Sequence, residues 1–173
     1  LESVRGTLST ILPQIYPRLH EAPNRIADEQ KAVKAALSNN VTNADLQALA
    51  VYKADGTLNE SHPLITALRG QLPGAEEHQE ATNAGELRKT FEAPPYGWDG
   101  NLVKVGLALL LRASACRLID NGAFVTDPNS ALAAELLTTD SRFRNMRVQA
   151  VKQDISTTEL VAIRNSMAKV LEA

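Results

Sequence analysis

The sequence predicts a mainly α-helical protein, in which a helical N-terminal part precedes a winged-helix-like part with a short β-hairpin. Two observations support this fold class. The longest apolar run of the chain, from Leu102 to Leu111, follows a proline-rich turn and predicts a long buried helix. After it, Asn121-Gly122 separates two β-prone runs and is typical of a two-residue hairpin. A short helix, a turn, a long apolar helix and a hairpin in this order are typical of a winged helix.

The first helices are predicted from apolar spacing and from proline. The spacing favours a helix up to about Leu12, after which Pro13 and Pro17 are expected to kink or end it. A second helix is expected over residues 25–37, with Pro23-Asn24 as its cap. Three more local signals lie in this helical domain, which covers residues 1–75: Thr42-Asn43 as a helix cap, Asp55-Gly56 as a turn, and His62-Pro63 as the start of a helix over residues 64–72.

Residues 76–83 are predicted to be a linker, because the surrounding stretch is polar, acidic and without apolar periodicity. The winged-helix-like domain then covers residues 84–173. Its helices are expected over residues 84–92, over residues 101–115 with Asp99 as cap, and over residues 131–137. A strand is expected within residues 142–152. The capping box from Ser156 to Glu159 predicts a final, C-terminal helix.

The long apolar helix is expected in the protein core. Its apolar run is about ten residues, whereas a helix that spans a bilayer needs about 20. Only a narrow polar stripe remains on it, formed by Asn101, Lys104 and Arg112. We therefore expect no membrane segment and no membrane partner.

A family resemblance rests on Phe91, the motif Pro94-Pro95-Tyr96-Gly97-Trp98, the leucine-rich helix, and Leu118-Ile119 with the wing. This pattern resembles the C-terminal region of the large P-loop ATPases of BREX phage-defence systems. The similarity extends upstream from Ile15-Tyr16-Pro17 to Leu87 and downstream to Phe143 and Ile155-Ser156. The resemblance implies a fragment of a bacterial defence ATPase, whose partners are the rest of the parent protein or other subunits of the defence system.

One residue departs from the family pattern. Ser114 stands at the corner between the long helix and the wing, where such proteins more usually have glycine. Glycine is favoured at such corners because it adopts positive φ without a steric penalty. The sequence therefore does not predict whether the backbone at this corner has the geometry usual in the family.

Composition agrees with a piece of a larger globular protein. The chain begins at Leu1 instead of methionine, so we expect that it was cut from a longer sequence. With 44% hydrophobic and 22% charged residues, it can bury an ordinary core. Cys116 is the only cysteine, so no disulfide can form within the chain, and a reducing, cytoplasmic compartment is expected.

The sequence contains no residue set that predicts catalysis, a cofactor or a metal. A P-loop needs Gly-x4-Gly-Lys-Ser/Thr to cradle phosphates, and the sequence has no Gly-Lys pair. His20, His62 and His78 lack the paired spacing of metal ligands, and one cysteine cannot supply a structural zinc site. We therefore expect a non-enzymatic fragment, and any ATPase site of the parent protein lies outside these residues.

Charge argues against a strongly cationic nucleic-acid module, since the net charge is −2 and the pI about 5.9. The winged section alone is net positive, because residues 100–152 carry 7 basic and 4 acidic side chains. In a winged helix the long helix enters the major groove and the wing touches the DNA backbone. The candidates for nucleic-acid contact are therefore the basic residues of this section: Lys104, Arg112, Arg117, Arg142, Arg144 and Arg147.

Two hypotheses for function remain. Tyr96 and Trp98 could stack on a base or a partner, but a chain with 4% aromatic residues is expected to place its one tryptophan in the core. The basic stripe on the long helix is thin. The preferred hypothesis is an assembly or interaction module, and the alternative is a DNA-binding winged-helix module of the same machine.

Overall fold

The computed structural model describes residues 2–22, 25–74 and 80–151. Within these ranges the chain is rich in helix and has one small antiparallel sheet. The helices are α1 (Glu2–Ile15), α2 (Glu29–Leu37), α3 (Ala44–Leu49), α4 (Pro63–Gln71), α5 (Ala84–Glu92), α6 (Gly100–Arg112), α7 (Ala131–Thr138) and α8 (Asp140–Asn145). The strands are β1 (Thr82–Asn83), β2 (Cys116–Asp120), β3 (Ala123–Val125) and β4 (Arg147–Ala150).

Helix α6 lies at the centre of the fold. Every residue from Leu102 to Leu111 is buried, and the helix contacts α2, α4, α5, α7 and β2. Asp99 caps its N-terminus, and the Asp99 carboxylate accepts a hydrogen bond of 3.0 Å from the Asn101 N–H. Helix α4 approaches α6 so closely that a Cβ at Gly106 would overlap the Leu68 side chain. The prediction of a long helix in the core is confirmed.

One hydrophobic core contains residues from both sides of the stretch 76–83. Leu46 and Leu64 precede this stretch, and Phe91, Leu118 and Phe143 follow it, yet all belong to the same cluster of buried side chains. The central position of α6 explains this arrangement, because helices from both predicted domains pack on it. The division into residues 1–75 and 84–173 stays a prediction.

The sheet has the strand order β1-β4-β2-β3, and every neighbouring pair is antiparallel. The predicted hairpin is formed by β2 and β3. Asn121 and Gly122 have φ of 49° and 85°, so both turn residues are left-handed, as a type I′ turn requires. Strand β4 comes after the hairpin in sequence but lies between β1 and β2, so that it joins the wing to the edge strand.

Several helix starts were predicted correctly because a single side chain or proline determines each of them. Asn43, Asn83 and Ser130 each cap a helix by accepting a hydrogen bond from the backbone three residues later. Pro63 is the first residue of α4, preceded by His62, whose ring nitrogen accepts the Leu64 N–H. The Asp55-Gly56 turn is also present, with φ of 79° at Gly56.

Two predictions in the N-terminal part are wrong. Helix α1 includes Pro13 and ends at Ile15, three residues after the expected end, and the Tyr16 N–H bonds to the Leu12 carbonyl at 2.8 Å. Helix α2 begins at Glu29 instead of residue 25, because Asp28 is extended and its carboxylate caps the helix by accepting the Lys31 N–H. Asp45 accepts the N–H groups of residues 27 and 28. The expected cap at residues 23–24 lies outside the described residues.

Three predictions in the C-terminal part also need correction. Residues 82–83 of the predicted linker form β1, which pairs with β4. Residues 140–145 form α8, so the strand expected within residues 142–152 begins only at Arg147. Helix α6 ends at Arg112 because Ser114 adopts a left-handed φ of 56°. The predicted helix after Ser156 lies outside the described residues.

Candidate interaction surface

The six basic candidates do not form one continuous surface in the structure. Lys104 is in the interior, with 1% of its side chain exposed. Its ammonium lies 2.6 Å from Glu29 Oε1 and 2.5 Å from Asp140 Oδ1. This group bridges α2, α6 and α8 and stands over the ring of Phe143 at 5.3 Å. Since its side chain is buried and its ammonium is paired with two carboxylates, Lys104 is not available to phosphate.

Arg142 is neutralised by two carboxylates. Its guanidinium lies 2.8 Å from Asp120 Oδ2 and 2.9 Å from Glu135 Oε1. The hydrogen bond to Glu135 is the main reason that the pKa of Arg142 is raised. Asp120 is the last residue of β2, so this arginine joins α8 to the wing and is not a source of free positive charge on the surface.

Arg112 and Arg144 belong to two different helices, α6 and α8. Arg112, in the last turn of α6, donates to the Asn129 side chain at a long 3.3 Å. Arg144 is on α8, with 68% of its side chain exposed and its guanidinium 3.7 Å from Asp140. No single face of α6 therefore presents the basic residues that a groove-reading helix needs.

Two of the six basic candidates, both arginines, share the outer face of the sheet. Strand pairing places Ile119 opposite both Phe124 and Arg147, and Arg117 is on the same face because side chains alternate along a strand. The alternate residues, Leu118 and Val148 among them, are buried against the helices. We call the outward surface formed by Arg117, Ile119, Phe124 and Arg147 the wing face.

The wing face carries an exposed aromatic ring beside a cation. Phe124 is 58% exposed, and the Arg117 guanidinium lies 3.9 Å from the centroid of its ring. Arg117 is held in place by two hydrogen bonds to Gln149 Oε1, at 3.2 Å and 2.8 Å. A large exposed aromatic ring next to an ordered arginine is the composition that interface hot spots favour.

The Pro94 to Trp98 motif lies inside the molecule instead. Trp98 is 2% exposed and stacks on Phe91 with 5.1 Å between ring centroids and 7° between the planes. Its indole N–H donates to the Arg18 carbonyl at 3.0 Å, and the Tyr96 hydroxyl accepts from the Arg18 guanidinium at 2.7 Å. The predicted burial of Trp98 is confirmed, and the motif fixes the segment after α1 to the start of α6.

Sequence analysis missed Phe124 as a surface residue and did not identify the partners of Lys104. Phe124 follows the Asn-Gly turn by two residues, and its side chain points away from that of the buried Val125 because side chains alternate along a strand. This alternation could have predicted from the sequence that Phe124 faces outward if Val125 faces the core. Glu29 and Asp140 are 75 and 36 residues from Lys104 in sequence, so no local pattern connects them.

The described residues contain no group of three or more side chains able to hold a metal ion. Cys116 is buried beneath the sheet, and burial raises the pKa of its thiol to about 12, so it is a neutral core residue at physiological pH. None of the described helices has both the length and the apolar character needed to cross a bilayer. Comparison with protein-family models, with curated proteins and with solved structures finds no match to this chain.

Proposed function

We propose that this chain is a non-catalytic module of a bacterial phage-defence P-loop ATPase and that it serves in assembly through the wing face. The family resemblance of the Pro94 to Trp98 motif, the leucine-rich helix and the wing supports the parent protein. The order of α5, the proline turn, α6 and the hairpin supports a winged-helix-like domain. The partners in this proposal are the rest of the parent ATPase or other subunits of the defence system, in the cytoplasm.

The observation that carries the proposal is that Phe124, a large apolar residue of strand β3, is exposed to solvent. A ring that is 58% exposed gains free energy when a partner covers it, at about 25 cal/mol per Å² of apolar surface. Arg117 beside it and Ile119 opposite it form a small apolar and cationic patch. Such a patch favours a protein surface with an acidic rim.

The burial of α6 supports assembly over DNA reading. A recognition helix must present one face to the major groove, whereas α6 is buried from Leu102 to Leu111. Lys104, which the DNA hypothesis places on that face, is bound to two carboxylates instead. The alternative, a DNA-binding winged-helix module, retains Arg117 and Arg147, which share the wing face.

The test is binding of this chain to the remaining parts of its defence system, measured by sedimentation. We expect that Phe124→Asp weakens complex formation at least about tenfold, because it removes apolar contact and adds a charge of the rim's own sign. Leu12→Asp is the matched control, since Leu12 is also an exposed apolar residue, 41% exposed, but lies on α1. Loss of binding in Leu12→Asp with full binding in Phe124→Asp would contradict the proposal.

A further inference from the structure

A surface cleft of about 400 Å³ lies at the C-terminal end of α6, and it shares no residue with the wing face. Leu109, Arg112 and Ala113 form its helical wall, and residues 52–58 form much of the opposite wall. The opposite wall is an ordered loop. Tyr52 pairs with Leu58, the Lys53 N–H bonds to the Thr57 carbonyl at 2.8 Å, and Asp55 accepts two hydrogen bonds from Thr57.

A polar group without a partner lies in this wall. The Tyr52 hydroxyl oxygen is shielded from solvent and makes no hydrogen bond to the protein. Among the described residues only Glu21 Oε2 shares that description, and it has an ion-pair contact of 2.7 Å with Arg18. An unpaired buried hydroxyl costs free energy of about 1–3 kcal/mol, so such groups are rare without a ligand or a water molecule.

Two of the side chains that line the cleft, Lys53 and Arg112, are cationic. Arg112 has five N–H groups, and among the described residues it donates a hydrogen bond to Asn129 Oδ1 over 3.3 Å. Burial raises the pKa of the Tyr52 hydroxyl, and the positive charge of Arg112 partly opposes this rise. Lys53 adds a second cation to the lining, while the carboxylate of Glu60 is paired with Arg69 at 3.2 Å.

We propose that this cleft binds a small organic carboxylate, with Arg112 as the charged anchor, Tyr52 as a second donor and Leu58 and Leu109 as the apolar wall. A planar guanidinium matches the two oxygens of a carboxylate. The C-terminal end of a helix carries partial negative charge, which disfavours a dianionic phosphate more than a singly charged carboxylate. Because the Tyr52 hydroxyl is shielded in the unbound chain, this proposal requires that the exposed Arg112 side chain turns when the ligand binds.

The test is a titration of the ¹⁵N-labelled chain with sodium isobutyrate, followed by NMR of the amides in residues 52–58 and of the Arg112 side chain. Isobutyramide is the neutral control, and inorganic phosphate tests the alternative anion. We expect saturable shifts with isobutyrate only. Arg112→Gln should weaken binding about tenfold or more, and Tyr52→Phe about threefold to tenfold. Lys89→Gln, at an exposed lysine paired with Glu86, should bind isobutyrate as the parent chain does.

The melting temperature of Tyr52→Phe supplies a second readout, independent of ligand. Removal of an unpaired hydroxyl should leave the melting temperature unchanged or raise it. A clear fall would mean that the hydroxyl has a protein partner, and it would overturn the proposal. Three binding results would also overturn it: no shifts with isobutyrate, equal binding of isobutyramide, or unchanged binding in Arg112→Gln. Tighter binding of phosphate than of isobutyrate would refute the assignment to a carboxylate.

Discussion

The Lys104 ammonium lies 2.6 Å from Glu29 Oε1, and this contact joins the central helix to a helix 75 residues earlier in sequence. Asp140 completes the group from α8. A buried ammonium is tolerated only when carboxylates compensate for the loss of hydration. The group therefore acts as a polar junction of α2, α6 and α8. If Lys104 has this structural role and does not contact DNA, its substitution should change the stability of the protein.

Truncation and replacement of Lys104 should have different effects. Lys104→Ala leaves a cavity and removes the charge that compensates Glu29 and Asp140, so we expect a loss of about 3–5 kcal/mol in the free energy of unfolding. Lys104→Met also leaves Glu29 and Asp140 without their cation, but it keeps most of the buried volume, so it is expected to cost less than Lys104→Ala because it leaves no large cavity. Urea denaturation of both variants measures this difference. Equal, small effects would show that Lys104 is not part of the core.

The same junction predicts a dependence of stability on pH. The pKa of Asp140 is lowered from its ordinary value of 3.8, mainly because Lys104 donates a hydrogen bond to its carboxylate. A carboxylate whose pKa is lower in the folded state contributes stability above its unfolded pKa and loses it as pH falls through the folded pKa. We expect stability to fall as pH drops below about 4, and to fall less steeply in Lys104→Met. Parallel pH profiles for the two proteins would contradict this linkage.

Trp98 should be among the most costly side chains to remove. It is buried, it stacks on Phe91, and its indole N–H satisfies the Arg18 carbonyl. We expect Trp98→Ala to lower the free energy of unfolding by about 3–5 kcal/mol. Thermal or urea denaturation checks the value. Phe124→Ala is the matched aromatic control on the surface and should cost much less, whereas similar losses for both would contradict the assigned burial.

The corner after α6 has the geometry of glycine although its residue is serine. Ser114 has a φ of 56°, its N–H bonds to the Leu111 carbonyl and the Ala115 N–H bonds to the Leu110 carbonyl, which together form a Schellman motif. A non-glycine residue in this region costs about 1–2 kcal/mol. Ser114→Gly should therefore raise the free energy of unfolding by about 1 kcal/mol. A loss of stability would mean that the serine hydroxyl contributes more than the backbone strain.

Local chemistry explains which elements were predictable from the sequence. The caps at Asn43, Asn83 and Ser130 each act on backbone three residues away, and the type I′ turn depends on two adjacent residues. Strand β1 was missed because its two residues pair with residues 147 and 148, more than 60 positions away. A strand of two residues has no periodicity to detect, so only the tertiary partner defines it.

Only part of the candidate surface could be predicted from the sequence, because strand pairing brings its residues together. Arg117 and Arg147 were identified from charge, but their common face depends on the register of β2 with β4. Lys104 was assigned to a narrow polar stripe of the long helix and to nucleic-acid contact because it is basic. Its burial follows from carboxylates on two other helices, which the spacing along α6 does not reveal.

The most direct test of the assembly proposal is a titration of labelled duplex DNA with this chain near physiological salt, followed by fluorescence anisotropy. A wing face that serves protein contacts should give no saturable binding up to about 100 µM protein, because few arginines are free to displace counterions. A dissociation constant of about 1 µM or tighter would contradict the proposal if Arg117→Ala and Arg147→Ala each weakened it and reduced the salt dependence by about one charge.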